Sequence, residues 1–365
     1  MEKKRLSPVP SPSRRIVSLD QFRGYTVVGM LFVNFLGGYQ VVPPIFKHHN
    51  TYCSYADTIM PQFFFAVGFA YRLTFLRRLA AAGVLAAAAA VLKRNAGLLL
   101  LGFVLYHLDG KVQSWAELEQ LGLHGFLTQA FRREIFQTLV HIAITSVWIL
   151  PVIGAGPAIR ILFMIASAGL HLWLSNRFYF HWAWTVPVID GGPLGFMTWA
   201  IPTIVGSLAY DAVAQSHDDP NLIAKLTGWS FVFLTLGYAL SCMGGYRATP
   251  PFLPPSASQV VDIWTMSQRT GSVSYLTFSA GVSLAVYALF VLICDHGGWQ
   301  FSLFRIFGQN ALAAYIIHPM VASAVKPYLP KNAPLWYVAA GFGLYFAICA
   351  LLNRYLEKHE LFLRL

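Results

Sequence analysis

Two adjacent histidines, His48 and His49, lie in a polar segment between the first two long apolar segments of the chain, and Asp57 opens the second of these. Histidine is the side chain best suited to exchange protons near neutral pH. A carboxylate beside it in the fold orients the ring and stabilises its charged form. These residues therefore predict general-base or nucleophilic chemistry. The alternative interpretation is a solvated histidine loop followed by Asp57 as the N-cap of a helix.

A metal site fits the sequence less well than acid–base chemistry. No third or fourth His, Cys or Glu lies near the histidine pair at a recognised ligand spacing, so we predict no metal. The four cysteines are scattered without a CxxC motif. We expect free buried thiols, with a disulfide between Cys53 and Cys242 as the alternative.

Several other polar side chains lie inside or beside apolar segments, where they are costly and therefore candidates for function. Asp20 and Arg23 are three residues apart, so they share one face of a helix and can pair, and Asn34 follows in the same segment. Each candidate also has a structural interpretation, as a cap, a turn or a polar bond between helices. The other candidates in this class are Arg72, Gln137, Asp190, Trp264, Ser274, Asn310 and His318.

The elements that must position these residues are predicted to be membrane helices. Of the 365 residues, 56% are hydrophobic and 11% are charged, whereas a soluble domain carries about 25% charged residues. A surface so poor in charge cannot face water, but it can face the lipid bilayer. The net charge of +11 does not indicate nucleic acid, because the basic residues form no continuous face.

Ten apolar segments approach the length of about 20 residues that crosses a bilayer. They predict an all-α polytopic protein of the cytoplasmic membrane, in which residues 1–15 are a disordered cytoplasmic tail and residues 16–365 form one domain. An alanine-rich stretch, 79–92, is predicted either to extend the short third segment or to form a further amphipathic or eleventh helix. If the N-terminus is cytoplasmic, the inner segments hold 17 of the 26 Lys and Arg residues, which predicts an N-in, C-in topology. The ten segments are 24–42, 57–77, 94–108, 135–153, 157–175, 194–213, 225–243, 273–294, 304–325 and 335–353.

The order of the motifs resembles that of the heparan-α-glucosaminide N-acetyltransferase-like family, which is similar to other transmembrane acyltransferases with a ten-helix core. The resemblance extends over nearly the whole chain. It is carried by Arg-Ile-Val-Ser-Leu-Asp-Gln-Phe-Arg-Gly at 15–24, by Phe46-Lys47-His48, by Asp57 with Pro61 and Gly68, by Phe136-Gln137, by Asp190-Gly191-Gly192-Pro193-Leu194, by Trp264-Thr265 with Ser274, and by Gly308-Gln309-Asn310-Ala311-Leu312 with Tyr315.

The resemblance implies an enzyme that moves an acetyl group from cytosolic acetyl-CoA to an amino sugar or envelope glycan on the far side of the membrane. Together with the candidates above, it assigns roles to thirteen residues. Catalysis falls to His48 or His49 with Asn34 and Asp57, acetyl-CoA binding to Asp20, Arg23, Arg72, Gln137 and Asn310, and acceptor binding to Asp190, Trp264, Ser274 and His318.

The sequence departs from the family pattern in two places. An apparent insertion at 40–45 leaves His48 and His49 hard to separate, with His48 preferred because it follows Phe-Lys. Thr138 stands where an arginine is usual, so if that arginine contacts the coenzyme phosphates, handling of the coenzyme either differs in this chain or passes to Arg132 or Arg133. The alternative functions are O-acylation of an envelope polysaccharide and transport without catalysis. A homodimer is kept as an alternative to a monomer.

Overall fold

The computed structural model describes residues 16–108, 112–131, 135–186, 188–215, 221–244, 249–255 and 260–363. The predicted N-terminal tail and the arginines at 132 and 133 lie outside these ranges. Within them the chain folds into helices joined by turns and loops, without a β-strand. The helices are α1 Val17–Leu36, α2 Tyr55–His107, α3 Trp115–Ala130, α4 Thr138–Ile153, α5 Pro157–Leu174, α6 Phe180–Thr185, α7 Phe196–Gln215, α8 Leu222–Ser241, α9 Val273–Phe290, α10 Ser302–Gln309, α11 Ala311–Val325 and α12 Leu335–Lys358.

The helices confirm the predicted all-α class. In the described part of the chain, six of them are long and apolar enough to cross a membrane, while α4 is apolar but shorter. The count of ten crossings stays a prediction. One predicted segment, 304–325, is divided into α10 and α11 by Asn310, whose φ of −120° and ψ of 40° are not helical. The six long helices lie within Tyr55–His107, Pro157–Thr185, Gly192–Gln215, Leu222–Ser241, Val273–His296 and Leu335–Lys358.

Helix α2 joins two predicted segments and the alanine-rich stretch between them into one element of 53 residues. Its backbone leaves helical geometry at Gly83, where φ is 80° and ψ is 176°, a conformation that glycine adopts at little cost. The two ends of α2 lie close together, because Asp57 and Tyr106 both interact electrostatically with Asp190. The chain therefore turns back at Gly83, and α2 is a hairpin of two helical arms.

Close crossing of α2 and α7 depends on a reciprocal pair of glycines. A Cβ atom at Gly68 would overlap the backbone of Thr203, and one at Gly206 would overlap the backbone of Phe65. Helices α1 and α10 cross in the same manner. Small residues at crossings are the usual way in which membrane helices gain packing contacts, because lipid provides little hydrophobic drive between helices.

A buried ionic cluster fastens α2 and α5 to α7. Arg72 donates from Nε to Asp211 Oδ1 at 2.9 Å and from Nη1 to the carbonyl of Ile153 at 2.5 Å. Arg160 also pairs with Asp211 and donates to Ser207 Oγ at 2.7 Å. Both guanidinium groups are thus compensated by one carboxylate and by neutral acceptors, as buried charges require.

All four cysteines are free. Cys53 is buried and its thiol lies beside Ser279, whereas Cys242 is exposed on the end of α8. The thiols are free as predicted and the alternative disulfide is not formed, but the prediction that all are buried is wrong for Cys242.

Candidate functional site

A cavity of about 940 Å³ lies between α1, α2, α4 and α11 and the loops at their ends. The side chains that line the cavity come from well-separated parts of the chain, and the fold brings them together at two opposite ends. Arg23, Arg78 and Arg94 line one end, and His48 with Asp190 lines the other.

His48 is held by the start of α2. Its Nδ1 lies 2.9 Å from Asp57 Oδ1, and this carboxylate is 1% exposed. Because a carboxylate accepts, Nδ1 carries the proton, and Nε2 is the nitrogen left for chemistry. The side chain of His48 keeps 45% of its surface accessible, and it lines the cavity. The ring is therefore oriented on one side and accessible to a ligand on the other.

Asp57 is itself fixed by a capping box. The amide of Ser54 donates to Asp57 Oδ2 at 3.0 Å, and the Asp57 amide lies 3.3 Å from Ser54 Oγ. The amide of His49 also donates to the carboxylate, at 3.3 Å. Both interpretations of Asp57 drawn from the sequence are compatible with this geometry, since the helix cap holds the carboxylate against His48.

The surroundings of His48 control its charge. Burial alone lowers the pKa of His48, but the hydrogen bond and negative charge of Asp57, together with Asp190 and Gln268, raise the pKa above its ordinary value of 6.5. The neutral ring needed for a base is therefore formed only as the pH rises above that value.

His49 faces a different environment. Its Nε2 lies 2.8 Å from the carbonyl oxygen of Pro44, to which it donates, and its ring stacks on Tyr52 with centroids 4.3 Å apart. It does not line the cavity. The geometry thus separates the two histidines, which the sequence alone left hard to distinguish, and it favours His48.

Asp190 lines the same end of the cavity as His48 and lies in a strained turn. Its φ is 54°, in the left-handed region, and its carbonyl accepts from Trp199 Nε1 at 2.7 Å. Its Oδ1 accepts from Gln268 Nε2 at 2.6 Å, and burial raises the pKa of Asp190 to about 6. The Gln268 side chain also lies close enough to His48 to contribute to its raised pKa, so one amide lies between the two groups.

Gln268 was missed by the sequence analysis. The available signal was a run of four polar residues, 267–270, immediately before α9. Such a run is also typical of any loop at a membrane surface, so it indicates no particular chemistry.

Asn34 and His318 form a polar pair in the cavity wall. His318 Nδ1 lies 2.7 Å from the carbonyl of Tyr315, to which it donates, so its Nε2 accepts from Asn34 Nδ2 at 3.4 Å. Both residues line the cavity. One of the two N–H groups of the Asn34 amide remains to meet a ligand.

The opposite end of the cavity is strongly basic. Arg23, Arg78 and Arg94 line it, and the charges of Arg23 and Arg78 both act on Arg94. Asp20 lies 3.8 Å from Arg23, as the i, i+3 spacing predicts, and offsets part of this charge. Three converging guanidinium groups repel one another, and an anion with several charges relieves this repulsion.

The two ends are about three helical turns apart. On α1, eleven residues separate Arg23 from Asn34, or about 16 Å at the rise of an α-helix. On the second arm of α2, twelve residues separate Arg94 from Tyr106, or about 18 Å. Tyr106 also lines the cavity and bonds to Tyr315 near Asp190. Both helices therefore run from the basic end of the cavity to the His48 end, over a similar distance.

Three residues predicted to bind acetyl-CoA have different positions. Gln137 lines the cavity at the start of α4. Arg72 lies in the ionic cluster with Asp211 and does not line the cavity. Asn310 is 1% exposed and bonds through Nδ2 to the carbonyl of Leu361 at 3.2 Å, so it holds the C-terminal segment beside the basic end.

Trp264 and Ser274, predicted to bind the acceptor, instead stabilise a turn. The amide of Trp264 donates to Asp262 Oδ1 at 2.9 Å, and its carbonyl accepts from Ser274 Oγ at 2.7 Å. Neither residue lines the cavity, so this geometry offers no support for the predicted contact.

Comparison with models of known protein families, and with characterised proteins, found no match. Among the residues that the structure describes, no group of three or more His, Cys, Asp and Glu side chains is arranged to hold a metal ion. The chemistry proposed below therefore depends on the arrangement of the cavity and on the motif resemblance.

Proposed function

We propose that this protein is a membrane acetyltransferase, which takes acetyl-CoA at the basic end of the cavity and transfers its acetyl group to an acceptor at the His48 end. The observation that carries this proposal is one continuous cavity with three arginines at one end and a carboxylate-oriented imidazole at the other. The motif resemblance to the heparan-α-glucosaminide N-acetyltransferase-like family supports the same reaction.

The length of the cavity suits coenzyme A. Its pantetheine arm has about twelve covalent bonds between the phosphate oxygen and the sulfur, equivalent to about four extended residues, or about 14 Å. The two helical measurements between the ends are about 16 Å and 18 Å. Phosphates held by the arginines would thus place the thioester beside Asn34 and His48.

The charges at each end suit the two parts of the donor. Arginine binds phosphate through a planar fork of donors, and Arg78 and Arg94 make no ion pair with the residues that the structure describes. The walls between the ends include Met30, Ile59 and Phe63, which suit an uncharged arm. With the proposed N-in topology, the coenzyme would bind from the cytoplasmic side.

At the other end, His48 acts as the base. Its Nε2 removes the proton from the acceptor hydroxyl or amine, whose oxygen or nitrogen attacks the thioester carbonyl carbon. The carbon–sulfur bond then breaks, and coenzyme A leaves as a thiolate that takes up the proton. Asp57 stabilises the imidazolium, and the remaining N–H of Asn34 donates to the carbonyl oxygen as it becomes negative.

A covalent relay uses the same groups in a different order. His48 Nε2 attacks the thioester carbonyl carbon first, the carbon–sulfur bond breaks, and coenzyme A leaves as a thiolate. The acceptor oxygen or nitrogen then attacks the acetyl carbon, the bond to Nε2 breaks, and the acceptor's proton passes to the thiolate. Rapid-quench labelling with acetyl-CoA before acceptor is added distinguishes the routes, because only the relay yields acetylated enzyme. In either route the proposed acceptor is an amino sugar or an envelope glycan on the outer side.

Binding of acetyl-CoA is tested with two separate variants, one that neutralises Arg94 and one that neutralises the adjacent Lys93. Arg94→Gln is expected to weaken binding of labelled acetyl-CoA about tenfold, since a hydrogen bond between charged groups contributes about 1.5–3 kcal/mol. Lys93→Gln removes the same charge one residue away on a side chain that does not line the cavity, and affinity should stay within about twofold. Equal effects of both variants, or no binding by the wild type, would overturn the proposal.

Chemistry is tested at the two histidines. His48→Ala should retain acetyl-CoA binding and lose transfer to a panel of amino sugars and envelope glycans, whereas His49→Ala should retain both. Loss of transfer in His49→Ala with full transfer in His48→Ala would show that the base is assigned to the wrong residue. Transfer by both variants would remove histidine from the mechanism.

A further inference from the structure

A second cavity of about 500 Å³ lies against the first. Asn34 and His318 line both cavities, so this hydrogen-bonded pair forms part of the wall between them. Nothing in the acetyl-transfer mechanism above uses the second cavity. Its other lining residues that matter here are Phe35, Pro319, Ala322, Ser323, Lys326 and Tyr345.

Lys326 places a positive charge in this second cavity. Its Nζ donates to the carbonyl of Asn34 at 2.9 Å and lies 5.4 Å from the centre of the Phe35 ring. It makes no ion pair with any residue that the structure describes, and partial burial lowers the pKa of Lys326. A partly desolvated ammonium group without a carboxylate is stabilised by an anion.

Tyr345 adds an unused donor. The residue is fully buried and stacks on Phe35 with ring centroids 4.4 Å apart. Its hydroxyl lies near the weakly accepting thiol of Cys349 and makes no hydrogen bond of normal geometry with the described residues. A buried hydroxyl without a partner is unfavourable by about 1–3 kcal/mol, so a ligand oxygen that accepts from it is stabilised.

The remaining walls are apolar and open outwards. Phe35, Pro319 and Ala322 line the cavity, and Pro319 and Ser323 lie on the exposed face of α11. In a membrane, the exposed face of such a helix meets acyl chains. Apolar walls beside a cation and a phenol match an amphiphile with an anionic headgroup better than a free anion, which would leave the apolar surface in contact with water.

We propose that the second cavity binds the anionic headgroup of a membrane lipid that carries the acceptor, and that the Asn34–His318 pair separates this lipid site from the acetyl-CoA cavity. The inference rests on the proposed acetyl transfer for its biological role, while lipid binding itself is independent of it. Phosphate oxygens contact Lys326 and Tyr345, and the apolar chain leaves across α11 into the bilayer.

Lipid binding is measured on the purified full chain by native mass spectrometry, with dioleoyl phosphatidic acid as the probe. Dioleoyl phosphatidylcholine tests the requirement for net negative charge, and inorganic phosphate tests whether a free anion is sufficient. We expect phosphatidic acid to bind more tightly than phosphatidylcholine and to resist displacement by inorganic phosphate. Displacement by phosphate, or equal affinity for the two lipids, would overturn the lipid assignment.

Paired variants locate the binding. Lys326→Gln should weaken phosphatidic acid binding about tenfold. Lys331→Gln removes the same charge from an exposed residue outside both cavities, so it controls for general attraction to acidic lipid. An equal loss in the two variants would show a diffuse surface effect and would refute the site.

A second pair tests the apolar part of the site. Ser323→Trp places an indole in the opening, and Met320→Trp places one on an exposed part of α11 outside the cavity. Only the first should reduce binding, and unchanged binding in Ser323→Trp would overturn the proposal even if Lys326→Gln failed to fold. Because no acetyl-CoA is present, these results stand apart from the Arg94→Gln test: lipid binding can fail while acetyl-CoA binding succeeds, and the reverse.

Discussion

Replacement of Asp57 by asparagine tests the proposed base with almost no change in shape. The carboxylate accepts from three N–H groups: His48 Nδ1 reaches Oδ1 at 2.9 Å, and the amides of Ser54 and His49 reach Oδ2 at 3.0 and 3.3 Å. An asparagine amide must place an NH2 group on one side. On the Oδ2 side it would face two backbone donors, each of which would then be unfavourable by about 1–3 kcal/mol.

The amide therefore turns its NH2 group towards His48. The ring must then accept at Nδ1, so its proton moves to Nε2, the nitrogen that has to be unprotonated to act as a base. We expect Asp57→Asn to reduce the maximal rate of acetyl transfer by about 10²–10⁴, the range for loss of a positioned base or of its correct tautomer. Folding near neutral pH should change little, since the backbone donors keep an acceptor.

The pH profile should move in a defined direction. In the wild type the raised pKa of His48 keeps the ring charged to a pH above 6.5, so the rate should rise through an inflexion above that value. In Asp57→Asn, burial still lowers the pKa of His48 while the largest opposing contribution is gone, and the inflexion should fall.

The pH dependence of stability provides an independent check, whose direction follows from the raised pKa of His48. Because the folded state raises the pKa of His48, the ion pair stabilises the fold fully below pH 6.5, and the contribution is lost as the pH rises through the folded pKa. The difference in thermal midpoint between wild type and Asp57→Asn should therefore be largest in acid.

The assays are pH–rate profiles and thermal unfolding of the detergent-solubilised protein. Asp262→Asn is the matched control, because Asp262 also accepts from backbone amides in a turn but does not line the cavity. It should change stability without moving the rate profile. If the inflexion of the pH–rate profile did not move in Asp57→Asn, and its maximal rate of transfer stayed within about twofold of the wild type, the assignment of His48 as the base would be refuted.

Three further changes test the surroundings of the site. Folding raises the pKa of Asp190 from 3.8 to about 6. The protonated carboxyl therefore stabilises the fold fully below pH 3.8, and this contribution is lost as the pH rises through about 6. In unfolding titrations, the free energy of unfolding of Asp190→Asn should increase by about 3 kcal/mol relative to that of the wild type between pH about 4 and about 8. Asp211→Asn leaves two buried guanidinium groups without their carboxylate and should destabilise the fold by about 3–5 kcal/mol in denaturant unfolding, whereas an effect below about 1 kcal/mol would show that water compensates them. Gly68→Leu drives a side chain into the backbone of Thr203 and should lower the unfolding free energy by about 1–3 kcal/mol or prevent folding; unchanged thermal stability would contradict the crossing geometry.

The parts of the site that the sequence could predict are local in the chain. His48 and Asp57 are nine residues apart, and Asp57 caps the next helix, so one turn brings them together. Asp20 and Arg23 share a helix face through their spacing. The apolar segments likewise predict helices, because backbone groups in lipid must be bonded within the segment.

The arginines show where such reasoning ends. Arg72 and Arg78 lie six residues apart on one helix, which places them about 240° apart around its axis. Most residues around them are apolar, and Arg77 adjoins Arg78 on a different side of the helix, so the sequence does not indicate which arginine meets the cavity. Arg94 joins Arg78 only because the chain turns back at Gly83. The alanine-rich sequence around this glycine favours a continuous helix, and the turn is visible only in the tertiary structure.

The hydrogen bond that separates the two cavities is weak enough to open. Asn34 Nδ2 and His318 Nε2 are 3.4 Å apart, which is longer than a typical N–H hydrogen bond, and such a bond contributes about 1 kcal/mol net. The open form of the pair is therefore less populated than the closed form by a factor of only about five. This cost is far smaller than a rate-limiting barrier. When the pair opens, the acceptor would gain a path from the lipid site to His48, while the second N–H of Asn34 stays available to the oxygen of the thioester carbonyl. A variant that keeps this pair closed should consequently bind both acetyl-CoA and lipid and yet transfer slowly.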